Sequence, residues 1–219
     1  MKPTRSLTHY LRLGAILIGI CLASQTAMTD TVKTQPGLTV TLHVYNSAHA
    51  NSETVIRAER EVKRIYRQIG VETVWVEYAV PEDQHWTVRQ ASELYVNIVA
   101  QAPEDLVRLN ALGVAPRAGH NRKRLYVYYD RVEDLYRKQL AATVRGHSYR
   151  WARTDQILGY VLAHEIGHLL GLEGHSEAGI MRAAWSRDDL LKLSCGVLAF
   201  TAQQAAVIRA EVAMHQLQN

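Results

Sequence analysis

The sequence predicts an α+β domain, and three patterns carry that prediction. Apolar and polar side chains alternate from Leu38 to Tyr45, the period of a half-buried strand. Val55, Ile56, Ala58, Val62, Ile65, Tyr66 and Ile69 recur at helical spacing and are closed by Gly70. Beyond residue 185 the remaining patterns are helical, so strands and helices come first and a small helical piece last.

Ahead of these elements, Lys2, Arg5 and Arg12 precede an uncharged apolar run from Leu13 to Ala23, followed by the small and polar residues Ser24 to Ala27. This is the layout of a secretory signal cleaved after Ala23 or Ala27. The run falls short of the about 20 apolar residues that a membrane span requires. Residues 1–27 are therefore expected to be a signal peptide, and 28–219 a secreted or periplasmic chain with no stable membrane insertion. Cys21 does not suggest a lipid anchor, because Ile20 stands where a lipobox needs a small residue. Cleavage removes three basic residues and no acidic ones, so the formal net charge falls from +4 to about +1. No nucleic-acid partner follows from that charge, and Arg122-Lys123-Arg124 reads as a solvated turn before a strand. Cys195 is then the one mature cysteine, expected buried and inert, with no intrachain disulfide open to it. About 190 residues without repeats or Pro/Gly linkers make a single domain with a sizeable core.

Taken in order, strand Leu38–Tyr45 turns Leu38, Val40, Leu42 and Val44 inward, the helix spans 53–69, and a second strand runs from Val71 to Tyr78. Together they form one right-handed crossover. A third strand covers 94–100. The segment Gly113 to Gly119 contains Pro116, which argues for an edge strand or bulge, with an ordinary loop as the alternative. Leu125 to Tyr129 is the next strand, Val132 to Val144 a helix and Arg145 to Arg153 a loop. Thr154 or Asp155 is expected to cap the following helix, which runs through Leu170 and lays Ile157, Val161, Leu162, Ile166, Leu169 and Leu170 on the sheet. Ser186 to Leu190 starts a short helix. Thr201 with Gln204 offers a capping box for a last helix to about Gln216, apolar at Ala205, Ile208, Val212 and Leu217.

The chemistry is concentrated in one stretch, from His164 to His175. Residues four apart lie one turn above each other, so His164 and His168 present both imidazoles on one helix face, at the separation that one zinc ion needs. Glu165 is the neighbour able to reach a metal-bound water. Gly171 stands where a helix stops, because glycine accepts the left-handed conformation that reverses the chain. That turn lets His175 approach as third ligand. Three neutral imidazoles leave a fourth position open, as in a catalytic zinc site. The plainer reading, a helix with surface histidines, has to explain Gly171 and His175 as coincidence.

These residues resemble the extended zinc signature of the metzincin metallopeptidases, H-E-x-x-H-x-x-G-x-x-H followed by a Met-turn. Met181, six residues past His175, matches the Met-turn methionine, and Ser176 directly after His175 resembles the matrixin branch. The resemblance implies a metzincin-like zincin fold: a mixed twisted sheet with a long helix and an active-site helix, an upper lobe over about 38–172 and a small helical lower lobe over about 173–219. It implies one catalytic zinc held by His164, His168 and His175, with Glu165 as general base. It also implies an edge strand that takes an extended peptide, which Gly113, Val114 and Ala115 match in chain order. Trp185 is the candidate for a pocket wall after the Met-turn, with core packing as the alternative. The implied activity is endopeptidase cleavage, in which Glu165 takes the proton of a zinc-activated water and returns it to the leaving amine.

Three departures shape this reading. Met181 is followed by Arg182 and Ala183 where matrixins and astacins usually carry a tyrosine, so transition-state stabilisation must come from elsewhere. Only about a dozen residues separate the signal from the first strand, which leaves no cysteine-switch propeptide. No Asp/His-rich loop is present for a second zinc or for calcium. Two other classes compete: a secreted zinc-stabilised binding protein, which the presence of Glu165 disfavours, and a zinc hydrolase of a non-peptide amide. The other histidines, His43, His49, His85, His120, His147 and His215, are scattered and carry no site. Oligomeric state is not encoded in any of these patterns.

Overall fold

A computed structural model describes residues 37–78, 93–103, 111–116, 123–141 and 151–218. The expected signal peptide, residues 117–119 of the edge segment, Arg122, most of the 145–153 loop, and His85, His120 and His147 lie outside the described residues. The elements are β1 (Leu38–Asn46), α1 (Ser52–Gln68), β2 (Val71–Tyr78), β3 (Glu93–Val99), β4 (Gly113–Val114), β5 (Arg124–Tyr128), α2 (Tyr129–Ala141), α3 (Thr154–Leu169), α4 (Arg187–Ser194) and α5 (Ala202–Leu217). They form an α+β fold with one five-stranded mixed sheet, ordered β2-β1-β3-β5-β4. The first four strands are parallel, and β4 closes the edge antiparallel to β5 through Gly113 opposite Val127 and Val114 opposite Tyr126.

Alternation along β1 places Val40, Leu42 and Val44 in the core, and β3 and β5 continue that layer with Leu94, Val96, Ile98, Leu125 and Val127. Helix α1 starts where the Asn51 side chain accepts the Glu53 N–H at 2.9 Å. It ends at Gly70, whose φ of +76° is the left-handed conformation expected there. Val55, Ala58, Val62, Ile65 and Tyr66 face inward, but Ile56 is exposed, as is Leu217 at the end of α5. The capping boxes of α4 and α5 form on Ser186 with Asp189 and on Thr201 with Gln204.

Helix α2 begins three residues earlier than its pattern suggested, because Tyr129 follows β5 without a connecting turn. At the start of α3 the cap is Arg153, not Thr154 or Asp155. The Arg153 N–H donates to Gln156 Oε1 at 3.2 Å, and its guanidinium binds the Asp155 carboxylate at 2.7 and 2.9 Å. Helix α3 meets the sheet at β3, β4 and β5, as its apolar pattern suggested, while its main partner is α1, with α2 and α4 touching its other sides. Every residue from Asp155 to Gly167 is consequently buried, and Leu169 only half so. The two helices meet at Gly159, where a Cβ would stand 2.6 Å from Glu61 Cβ and 3.0 Å from the Ala58 carbonyl oxygen. Arg64 of α1 ties this layer to the loop after α4, donating to the Gly196 carbonyl at 2.8 Å and to the Tyr160 hydroxyl at 2.9 Å. Among the described residues no helix is long and apolar enough to cross a membrane.

Candidate metal centre and cleft

His164 and His168 leave the last turns of α3 one above the other, with ring centroids 4.9 Å apart. The helix then stops at Leu170. Gly171 takes φ +89°, and the Leu172 N–H bonds back to the Gly167 carbonyl at 3.0 Å, a Schellman-type reversal. The reversal brings His175 to 5.2 Å from His164 and 5.1 Å from His168, ring centre to ring centre. One ring nitrogen from each of the three lies within 4.8 Å of the others, and this is the one such group of possible metal ligands among the described residues.

Backbone carbonyls orient two of these rings. His164 Nδ1 lies 2.8 Å from the Ile180 oxygen, and His168 Nδ1 lies 2.6 Å from the Leu172 oxygen. A carbonyl can only accept, so each Nδ1 carries the proton and each Nε2 keeps its lone pair for a metal. Burial pushes the His164 pKa down to about 4, and its neighbours His168 and His175 act in the same direction against the Ile180 hydrogen bond. The ring is thus neutral, the form that ligates. Three imidazoles, two of them turned by a backbone carbonyl to leave Nε2 free, fit zinc by the chemistry of the donor set.

Glu165 is 7% exposed and faces the edge of the sheet. Burial raises its pKa to about 8, opposed by a hydrogen bond from the Ala115 backbone N–H to the carboxylate. Gly113, Val114, Ala115, the three histidines, Glu165 and Trp185 all line one cleft of about 1060 Å³. Trp185 is half-buried there. Its indole N–H donates to the Ile180 oxygen at 3.1 Å, and its ring stands edge-on to His164 at 6.3 Å. The Ile180 carbonyl therefore accepts from both the candidate ligand and the cleft wall.

Met181 is fully buried below this turn, its sulfur 3.0 Å from where a Cβ on Gly167 would stand. The 176–181 loop is closed by the Ser176 N–H on the Met181 carbonyl at 2.8 Å. The Ser176 hydroxyl donates to the Ala178 oxygen at 2.7 Å and accepts from Gln204 at 2.9 Å, which docks the loop on α5. Cys195, expected to be buried, is exposed at the end of α4. His43 and His215 make local contacts away from the cleft, with the Tyr78 hydroxyl at 3.0 Å and the Glu211 carboxylate at 3.1 Å.

The sequence reading did not anticipate the opposite wall, built by Asp130, Arg131, Asp134, Leu135 and Lys138 of α2. Positions 131, 134, 135 and 138 recur at helical spacing, and that stripe of mixed charge was the available signal. Arg182, expected with Trp185 to build one wall of the pocket, lines the cleft and pairs with buried Asp189 at 3.5 Å.

No family model matches the sequence, and no curated protein matches it. Solved structures do. Archaemetzincin from Methanopyrus kandleri aligns with a TM-score of 0.51 at 14% identity, over 82% of this chain and 99% of its own. A zinc-dependent peptidase from Methanocorpusculum labreanum aligns with a TM-score of 0.49 at 13% identity, over 76% of this chain and 99% of its own. At 14% identity the likeness to archaemetzincin is one of fold.

Proposed function

We propose that this chain is a zinc-dependent endopeptidase of metzincin type, exported to the periplasm or cell exterior and acting on peptide or protein substrates. The observation that carries the reading is the convergence, in one cleft, of three histidines, two of them with the tautomer fixed by a backbone carbonyl, with a buried carboxylate. Likeness in fold to archaemetzincin supports it. A matrixin-like branch rests on Ser176 alone, and export rests on the leader pattern over 1–27.

His164, His168 and His175 would hold the ion. Bound there, zinc supplies Lewis acidity toward a substrate carbonyl and lowers the pKa of water toward about 7. The chain's own residues do the rest. Glu165 takes the proton from the attacking water as the new C–O bond forms, and delivers it to the nitrogen as the C–N bond breaks. Burial favours its protonated form, which suits the second half of that exchange. Strand β4 offers an extended backbone at the sheet edge beside the cleft, where Gly113, Val114 and Ala115 can pair with a substrate strand. Trp185 and Ala183 form a wall for the residue after the scissile bond.

The test is digestion of a proteome-derived peptide library by the zinc-loaded chain and by Glu165→Ala, with products read by mass spectrometry. Cleavage by the wild type and its loss in the variant is the expected result. Zinc bound to both without cleavage by either would instead favour a zinc-stabilised binding protein or a hydrolase of non-peptide amides.

A further inference from the structure

Strand β4 makes two contacts with Glu165 that a substrate-binding strand does not need. A Cβ on Gly113 would stand 2.9 Å from Glu165 Cγ, 3.1 Å from its Oε1 and 2.8 Å from the Tyr126 carbonyl oxygen. Two residues on, the Ala115 N–H donates to the same carboxylate. The strand cannot retreat from this contact, because the ladder to β5 fixes it, with the Tyr128 N–H on the Leu112 oxygen at 2.9 Å just ahead of it. The Glu165 side chain is therefore held between a bare backbone on one side and a hydrogen-bond donor on the other.

Resting on the peptidase reading, we propose that Gly113 is a positioning residue for Glu165. Its missing side chain lets β4 close on the general base, and the Ala115 N–H fixes the carboxylate toward the cleft. The edge strand then serves two ends, docking substrate and holding the proton acceptor. General acid–base catalysis is worth about 10²–10⁴-fold, and a misplacement of about 1 Å costs on the order of 10². A methyl group at position 113 must displace either the carboxylate or the strand, while all three histidines stay in place.

The experiment uses the zinc-loaded full chain with Gly113→Ala and Glu165→Ala, singly and combined. Kinetics of Gly113→Ala on the best cleaved peptide should show kcat down by about 10- to 100-fold with KM and zinc affinity within about threefold. Two further readouts need no turnover. Gly113→Ala should lower the thermal midpoint by about 3 °C more in the wild type than in the Glu165→Ala background, where half the crowding is gone. Amide hydrogen exchange at Ala115 should be at least about tenfold faster in Glu165→Ala, which has lost the acceptor. If Gly113→Ala folds only in combination with Glu165→Ala, that supports the same contact; if it folds in neither, exchange at Ala115 decides. Equal midpoint losses in the two backgrounds, with unchanged exchange at Ala115, overturn the proposal. So does wild-type kcat in Gly113→Ala, which leaves the peptidase reading intact. Absence of cleavage by the wild type overturns that reading alone, because the midpoint and exchange measurements still test the positioning.

Discussion

Replacing Glu165 by glutamine in the metal-free chain should change how stability depends on pH between pH 5 and pH 8. In the wild type, burial raises the folded-state pKa to about 8 from an ordinary 4.5. Below the ordinary value both states are protonated and the carboxyl costs nothing. Between the two values the unfolded chain ionises while the folded one keeps its proton, so stability falls with rising pH at about 1.4 kcal/mol per unit. From pH 5 to pH 8 this amounts to about 3 kcal/mol, an order-of-magnitude figure. His164 acts the other way: its folded pKa of about 4 lies below the ordinary 6.5, so its contribution is lost as pH falls through that range. That contribution is common to wild type and variant and cancels in their difference. Glutamine preserves size and can still accept the Ala115 N–H, but does not titrate. Urea unfolding of both proteins in chelator at several pH values measures the difference directly. The variant should gain on the wild type steadily as pH rises, and saturating zinc should flatten the wild-type slope because a dication favours the ionised carboxylate. A stability difference constant to within about 0.5 kcal/mol across the range would refute the reasoning.

Two further outcomes follow from the ligands and from the helix that bears them. His175→Ala should weaken zinc binding by at least about 100-fold, measured by competition with a chromogenic chelator; zinc held as tightly as in the wild type would dismiss the three-histidine site. Gly159→Ala drives a methyl group to 2.6 Å from Glu61 Cβ at the α1–α3 crossing. Overpacking of about 1–3 kcal/mol is set against the roughly 1 kcal/mol that alanine adds to a helix, so guanidinium unfolding should show a net loss of up to about 2 kcal/mol, and a gain in stability would contradict the packing described.

The three histidines, Glu165, Gly171 and Met181 were legible because their geometry is local: helical spacing, one reversal and one short loop bring them together. The alternation of β1, the start of α4 at Ser186 and the capping box at Thr201 were legible for the same reason. The Arg153 cap was not, since arginine is no usual cap residue and it succeeds by pairing its guanidinium with Asp155 while Gln156 accepts its N–H. The packing of α3 against α1, besides the sheet, was not legible because a helix buried on nearly every side has no polar face to mark its orientation. The α2 wall and the grip of β4 on Glu165 depend on contacts between segments far apart in sequence, and only Gly113, a glycine within a strand, hinted at a close approach.

Burial of α3 from Asp155 to Gly167 also explains how stability and site geometry are joined. Four polar side chains on that helix are buried, and each meets a partner, three of them from segments distant in sequence. Asp155 takes the Arg153 guanidinium, Gln156 donates to the Ser194 carbonyl at 3.2 Å, His164 donates to Ile180 in the 176–181 loop, and Glu165 accepts from Ala115 at the sheet edge. Burying any of these groups without its partner would cost about 1–3 kcal/mol or more. The partners of His164 and Glu165 therefore fix the candidate ligand and the proposed base in the fold itself. His175 is different: it is exposed and reaches the site only through the turn at Gly171. Zinc binding should accordingly order the 172–175 segment while leaving α3 and β4 as they are, so hydrogen exchange on metal removal should rise in that segment first.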